Sequence, residues 1–170
     1  MPKEASSPIE HGTHPELDAS DFLHSDGILC YQSIVGSLQW EVTIGRLDIA
    51  PAVNTLSTFR AAPRKGQLEV AKHVVGYLYK MIHADIKVRV NCPDYSDVPN
   101  PEYNWMESIY GKVKEVILKD APKAYGPKLV YTVYVDANLY HDMITGRSLT
   151  GILHYLNQTP IDWYCKKQGT

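Results

Sequence analysis

Apolar residues recur at helical spacing through the first half of the chain and alternate toward its end. Tyr31, Ile34, Val35, Leu38 and Val42 stand at i, i+3, i+4, i+7 and i+11, one face of a helix that Gly45 is placed to stop. Asp48 sits where an N-cap carboxylate would meet free backbone N–H groups. Ile49, Ala52, Val53, Leu56 and Phe59 form a second stripe, with Pro51 tolerated in its first turn. The run Ala62-Pro63-Arg64-Lys65-Gly66 breaks it, and Leu68, Ala71, Val75, Leu78 and Ile82 make a third stripe. Links this short predict three packed helices, none able to bury its apolar face alone. Ahead of them, residues 1–27 carry Pro2, Pro8, Gly12, Pro15 and Gly27 and read as an irregular leader, with order beginning near Leu29.

The period then changes. Ile86, Val88 and Val90 alternate with Lys87, Arg89 and Asn91, which predicts a half-buried strand. Pro93, Pro99 and Pro101, among the acids Asp94, Asp97 and Glu102, open a linker or insertion over 92–127 that could hold a short helix from Trp105 to Leu118. Val130–Val135 is apolar or aromatic on both faces and predicts a central strand. Leu149–Leu156 is a second strand, and Pro160–Cys165 a third, with proline at its start, where no ladder bond is lost. Short links between consecutive strands predict an antiparallel meander over 128–170. The fold class is therefore α+β, with a helical region over 28–91 and a sheet region over 128–170. Three strands alone leave one sheet face and one edge uncovered.

Composition adds little to this pattern and excludes a good deal. The 170 residues carry 17 basic and 19 acidic groups, a net charge of −2, which excludes a polybasic polymer binder and leaves a local phosphate-gripping patch open. No apolar run reaches the roughly 18 residues of a membrane span, and the N-terminus has no secretory pattern. An intracellular protein without a membrane partner is expected. Cys30, Cys92 and Cys165 are odd in number and widely spaced, so neither a disulfide framework nor a zinc cluster is indicated.

Asp136 closes an apolar strand, and two readings stay open for it. It can cap the strand end, or it can serve as a hard-metal ligand, since a carboxylate in such a place needs a partner or a cation. Tyr134-Val135-Asp136-Ala137 is not the Tyr-x-Asp-Asp box of a polymerase, because Ala137 stands where the second acid belongs. Arg60, Arg64 and Lys65 cluster at a helix end, Arg147 lies between two strands, and Lys166 and Lys167 follow the third. Tyr31, Trp40, Tyr77, Tyr79, Trp163 and Tyr164 lie near them in sequence. Basic groups beside aromatics suit nucleic-acid binding; solvated charges and core aromatics are the alternative.

Two stretches resemble the polyprotein of Ty1/copia-type LTR retrotransposons. Tyr31-Gln32-Ser33-Ile34-Val35-Gly36-Ser37-Leu38-Gln39-Trp40, then Arg46-Leu47-Asp48-Ile49-Ala50 and Val53-Asn54-Thr55-Leu56-Ser57-Thr58-Phe59, is similar to the end of the family's reverse transcriptase, with Leu47 where the family has Pro. Tyr134-Val135-Asp136-Ala137-Asn138, Gly146-Arg147-Ser148-Leu149-Thr150-Gly151 and Ile161-Asp162-Trp163-Tyr164-Cys165-Lys166-Lys167-Gln168 is similar to the start of its ribonuclease H domain.

The resemblance implies a thumb/connection-like helical bundle followed by a partial ribonuclease H-like three-stranded antiparallel sheet. It implies that Asp136 is the first ribonuclease H carboxylate, a ligand in two-metal Mg2+ chemistry, with Asn138 where the family has a further Asp. The family's next catalytic acid lies beyond the Lys166-Lys167-Gln168 motif and its polymerase carboxylates lie upstream. The chain is therefore expected to hold no Mg2+ stably and to be inactive alone. Its implied partners are an RNA–DNA hybrid or template–primer, bound weakly, and the remainder of a polyprotein. A non-catalytic nucleic-acid-binding or interaction module is the alternative.

Overall fold

The computed structural model describes residues 5–94, 118–123, 125–126 and 129–169. Three helices, α1 (Ser25–Thr43), α2 (Ala50–Ser57) and α3 (Lys65–Lys80), are followed by three strands, β1 (Tyr131–Asn138), β2 (Leu149–Leu156) and β3 (Thr159–Lys167). The strands form one antiparallel meander in the order β1-β2-β3. The chain is thus α+β, as its pattern predicts. The helix expected over 105–118 and most of the linker over 92–127 lie outside the described residues.

The helical core is one cluster. Tyr31, Val35 and Leu38 of α1 meet Ala52, Val53 and Leu56 of α2 and Ala71, Val74 and Tyr77 of α3, with Ile49 beneath them. Removing these side chains from water is the main stabilising term, at about 25 cal/mol per Å2 of apolar surface. The Tyr31 hydroxyl donates to the Leu56 carbonyl at 2.7 Å, so its polar end is satisfied inside the core. Burial pushes the phenol pKa well above its ordinary value. The third stripe is turned from its expected axis. Gln67, Ala71, Val74 and Tyr77 are buried, Leu68, Val75 and Leu78 lie at the flank, and Ile82 is beyond the helix and exposed.

Asp48 is not the cap of α2. A 3-10 turn over Leu47–Ile49 precedes that helix, and the Asp48 carboxylate instead takes Nε and Nη2 of Arg46 at 3.0 and 2.8 Å and the Tyr77 hydroxyl at 2.9 Å. Arg46 also donates to the Met81 carbonyl at 3.3 Å, so this cluster ties the entry of α2 to the exit of α3. Burial opposes ionisation of Asp48, but the bonds from Arg46 and Tyr77 and the guanidinium charge outweigh it and lower its pKa.

Among its described residues the leader is not wholly irregular: it carries a 3-10 turn over Pro15–Leu17, α1 already begins at Ser25, and the segment is anchored well before Leu29. Arg64, a cation, cannot cap the N-terminus of α3, and the leader supplies the acceptors instead. The Gln67 N–H donates to the Asp18 carboxylate at 3.0 Å, and the Gly66 N–H to the Ser20 hydroxyl at 2.9 Å. Carboxylates at this position also meet the positive end of the helix dipole. Gln67 closes the cap with its side-chain oxygen on the Arg64 N–H at 2.8 Å and its amide on the Pro15 carbonyl at 3.0 Å.

Two strand expectations are corrected. Residues 86–90 form no strand; Val88 and Val90 are 78% and 80% exposed. The segment instead runs beside the β2–β3 turn and is held by that turn's side chains. Asn157 donates to the Val90 carbonyl at 2.7 Å, and Thr159 bonds to the Arg89 N–H at 2.7 Å and carbonyl at 3.1 Å. Alternation predicted the extended shape but not that side chains would replace the ladder. The run Val130–Val135 is not central either. β1 is an edge strand, exposed along most of its length, and β2 is the middle one. Apolarity on both faces marks here a strand with open surfaces rather than two covered ones.

Candidate nucleic-acid interface

Directly opposed residues of an antiparallel ladder share a face. Asp136, Gly151 and Cys165 form one such row, Tyr134, Leu153 and Trp163 the next, and Asn138, Leu149 and Lys167 the one on the other side. This face turns toward the helices. The Trp163 indole donates to the Val42 carbonyl at 2.9 Å, at the end of α1, where the Gly45 N–H also reaches it at 3.3 Å. Asn54 of α2 donates to the Cys165 carbonyl at 2.9 Å. Burial raises the Cys165 thiol pKa. A cleft of about 390 Å3 remains between the layers, lined by Leu47, Pro51, Tyr134, Leu153 and Trp163 with Asp136 at its wall.

Asp136 stands among apolar and thiol neighbours rather than acids. Its ladder partner is Gly151, with Cys165 beyond it in the same row, and among the described residues no three His, Cys, Asp or Glu side chains gather as a metal site. Mg2+ demands oxygen donors, so the residues here do not fit a two-metal centre.

The basic residues separate into two places. Arg60, Arg64 and Lys65 lie on the helical layer. Arg64 bonds the Ser20 carbonyl and lies 3.9 Å from the Phe22 ring centroid, and Lys65 pairs with Asp21 at 2.8 Å. Arg60 is exposed and reaches the Ser57 hydroxyl at 3.4 Å. Arg147, Lys166 and Lys167 lie on the sheet layer, where the Gln168 N–H bonds the Ser148 carbonyl at 2.9 Å and brings the entry of β2 beside the exit of β3. Lys167 is paired with Asp142. Among the described residues Arg147 and Lys166 form no ion pair.

Asp142 organises this end and was not singled out in the sequence. It is 6% exposed, accepts the Ile144 and Thr145 N–H groups at 2.9 and 3.0 Å, and binds Lys167. Burial disfavours its charge, but the Lys167 bond and the Thr145 N–H outweigh this and hold its carboxyl well below the usual range. An Asp two residues before a turn that closes on Thr145-Gly146 is a recognisable side-chain turn signal. Its pairing with a lysine 25 positions later is not visible locally. Of the aromatics, Tyr31 and Tyr77 belong to the core, whereas Trp40, Tyr79 and Tyr164 are exposed.

A Saccharomyces cerevisiae protein named for the transposon Ty5-1 is 31% identical to the chain over 146 residues, 85% of this chain and 35% of the relative. The chain is similar to a transposon protein. It spans about a third of that relative's length. No family model matches the chain, and no solved structure matches it. Among the described residues no helix is long and apolar enough to cross a membrane.

Proposed function

We propose that the chain is a segment of a copia-type retrotransposon polyprotein, in which the thumb/connection end of a reverse transcriptase meets the opening strands of a ribonuclease H domain. Synthesis of DNA on RNA and cleavage of RNA in hybrids belong to the whole polyprotein. This segment alone holds nucleic acid weakly and does not cut it. The observation that carries the reading is the 31% identity to the Ty5-1 protein across 85% of the chain, a span too long to lie within the helices or the sheet alone. The α+β order supports it, as do half-buried Arg147 and exposed Lys166 on the sheet that holds Asp136. Asp136 answers to the first ribonuclease H carboxylate in position, and one carboxylate cannot by itself assemble a two-metal Mg2+ site.

The geometry also sorts the basic groups. Arg147, Lys166 and Arg60, which form no ion pair among the described residues, are the groups we propose to meet phosphates, whereas Arg64, Lys65 and Lys167 are engaged within the chain. The test is a labelled RNA–DNA hybrid incubated with the purified chain and Mg2+ or Mn2+. Weak binding without cleavage is expected. Cleavage that disappears in Asp136→Asn would overturn the inactive reading, and absence of any binding at low salt would overturn the nucleic-acid reading.

A further inference from the structure

A cleft of about 300 Å3 lies where the leader meets α2. That volume stands at the lower end of small-molecule sites, roughly 300–1,000 Å3. Pro8, Ile9 and Pro15 of the leader and Pro51 and Ala52 of α2 give it apolar walls. His141, from the loop after β1, adds a wall from the sheet layer and is fixed there by Thr55 Oγ1 at 3.1 Å and the Asn138 amide at 3.2 Å. Glu16 and Asp48 are the acids of the lining, and no lysine or arginine of the described residues shares it.

The two acids differ. Asp48 is engaged by Arg46 and Tyr77. Glu16 uses a single oxygen. Its Oε1 pairs with His14 Nδ1 at 3.0 Å and accepts the Met143 N–H at 3.4 Å. Oε2 takes no hydrogen bond among the described residues, although the Glu16 side chain is only 8% exposed. No buried side-chain oxygen among the described residues lacks a partner, so Oε2 is open to the cleft that Glu16 lines. We propose that this cleft binds a primary ammonium on a short alkyl stem. The ammonium brings three donors to a carboxylate with acceptor capacity to spare, and such charge-assisted bonds are the strong ones. The stem lies along Ile9 and the prolines, where each buried methylene adds to affinity. An anionic guest would meet Glu16 with no cationic side chain to receive it. A purely apolar guest would strip water from Oε2 and give nothing back.

Titration of the isotope-labelled full chain with n-pentylammonium, followed by amide NMR, reads the site. Saturable shifts at Ile9, Glu16, Thr55 and His141 are expected. Pentanol, the same stem without the charge, should bind about tenfold more weakly, the difference between a charge-assisted and a neutral hydrogen bond. Methylammonium, which lacks the stem, should also lose about tenfold or more, and pentanoate should not bind. Glu16→Gln keeps an acceptor for His14 and Met143. It should lower n-pentylammonium affinity about tenfold and leave pentanol unchanged. Ile9→Ser, on the apolar wall, should weaken n-pentylammonium and spare methylammonium, and it carries the test if Glu16→Gln perturbs the fold. Nα-acetyl-lysine amide separates the sources of such a group. Binding tighter than n-pentylammonium assigns the site to a lysine side chain of a polypeptide, weaker binding assigns it to a free amine, and both uphold the ammonium site. Equal binding of pentanol and n-pentylammonium, unchanged affinity in Glu16→Gln, or no saturable shift at these amides overturns the proposal.

Discussion

Replacing Asp142 by asparagine tests the organisation of the basic end of the sheet. The carboxylate there performs two tasks, accepting the Ile144 and Thr145 N–H groups with one oxygen and binding Lys167 with the other. In Asp142→Asn the amide oxygen can keep the first task only by turning its NH2 toward the ammonium, donor against donor. A charge-assisted hydrogen bond contributes about 1.5–3 kcal/mol. Breaking a fully buried pair costs about 3–5 kcal/mol. The Lys167 side chain is 22% exposed and can swing its ammonium to water, which keeps the loss toward the lower range. A loss of about 2 kcal/mol is therefore expected, read by urea unfolding through tryptophan fluorescence and far-ultraviolet circular dichroism. Lys167→Met should lose less, because the carboxylate keeps its backbone donors, and the double variant should be less than additive.

The pH dependence has a definite sign. The folded carboxyl is depressed below its unfolded value, so its contribution is complete above the ordinary carboxyl range near pH 4. It is lost as pH falls from there through the depressed folded value. The stability gap between wild type and Asp142→Asn should be flat at neutral pH and close on acidification. A gap below about 0.5 kcal/mol, or one that does not change in acid, would refute the reasoning.

Trp163→Phe removes the bond to the Val42 carbonyl while keeping most of the apolar contact. It should cost about 1 kcal/mol by denaturant titration, and no change would mean that the sheet does not dock through this side chain. Gly66→Ala would place a Cβ 2.5 Å from the Asp18 carboxylate oxygen and displace the cap of α3. It should destabilise by about 1 kcal/mol, the typical worth of a cap, although alanine is ordinarily the better helix former. A stabilised variant would show that the cap is dispensable.

The helical stripes were legible because three apolar faces had to be buried within short links, and α1 and α2 bury the predicted residues. The rotation of α3 was not, because Gln67 reads as polar surface until Pro15 and Arg64 give it partners. Asp48 looked like a cap because caps are local; its partner Arg46 is equally local, but Tyr77, 29 residues away, is not visible in any local pattern. The meander followed from link lengths, but the place of β1 in it did not. An apolar run reads alike whether its faces are covered or open. The bases were visible as residue types, and only the fold distinguishes Arg147 and Lys166, without an ion pair among the described residues, from Arg64, Lys65 and Lys167, which are engaged by Ser20, Asp21 and Asp142.

Hybrid affinity as a function of salt tests the proposed role most directly. Fluorescence anisotropy with an RNA–DNA hybrid should give a log K that falls linearly with log salt, each phosphate contact adding a slope of about 0.9 by analogy with duplex DNA. Replacing Arg147 and Lys166 together by alanine should lower that slope by between about 1 and 2, with thermal stability unchanged. A hybrid that does not bind at low salt, or a slope unaffected by both substitutions, would contradict the account.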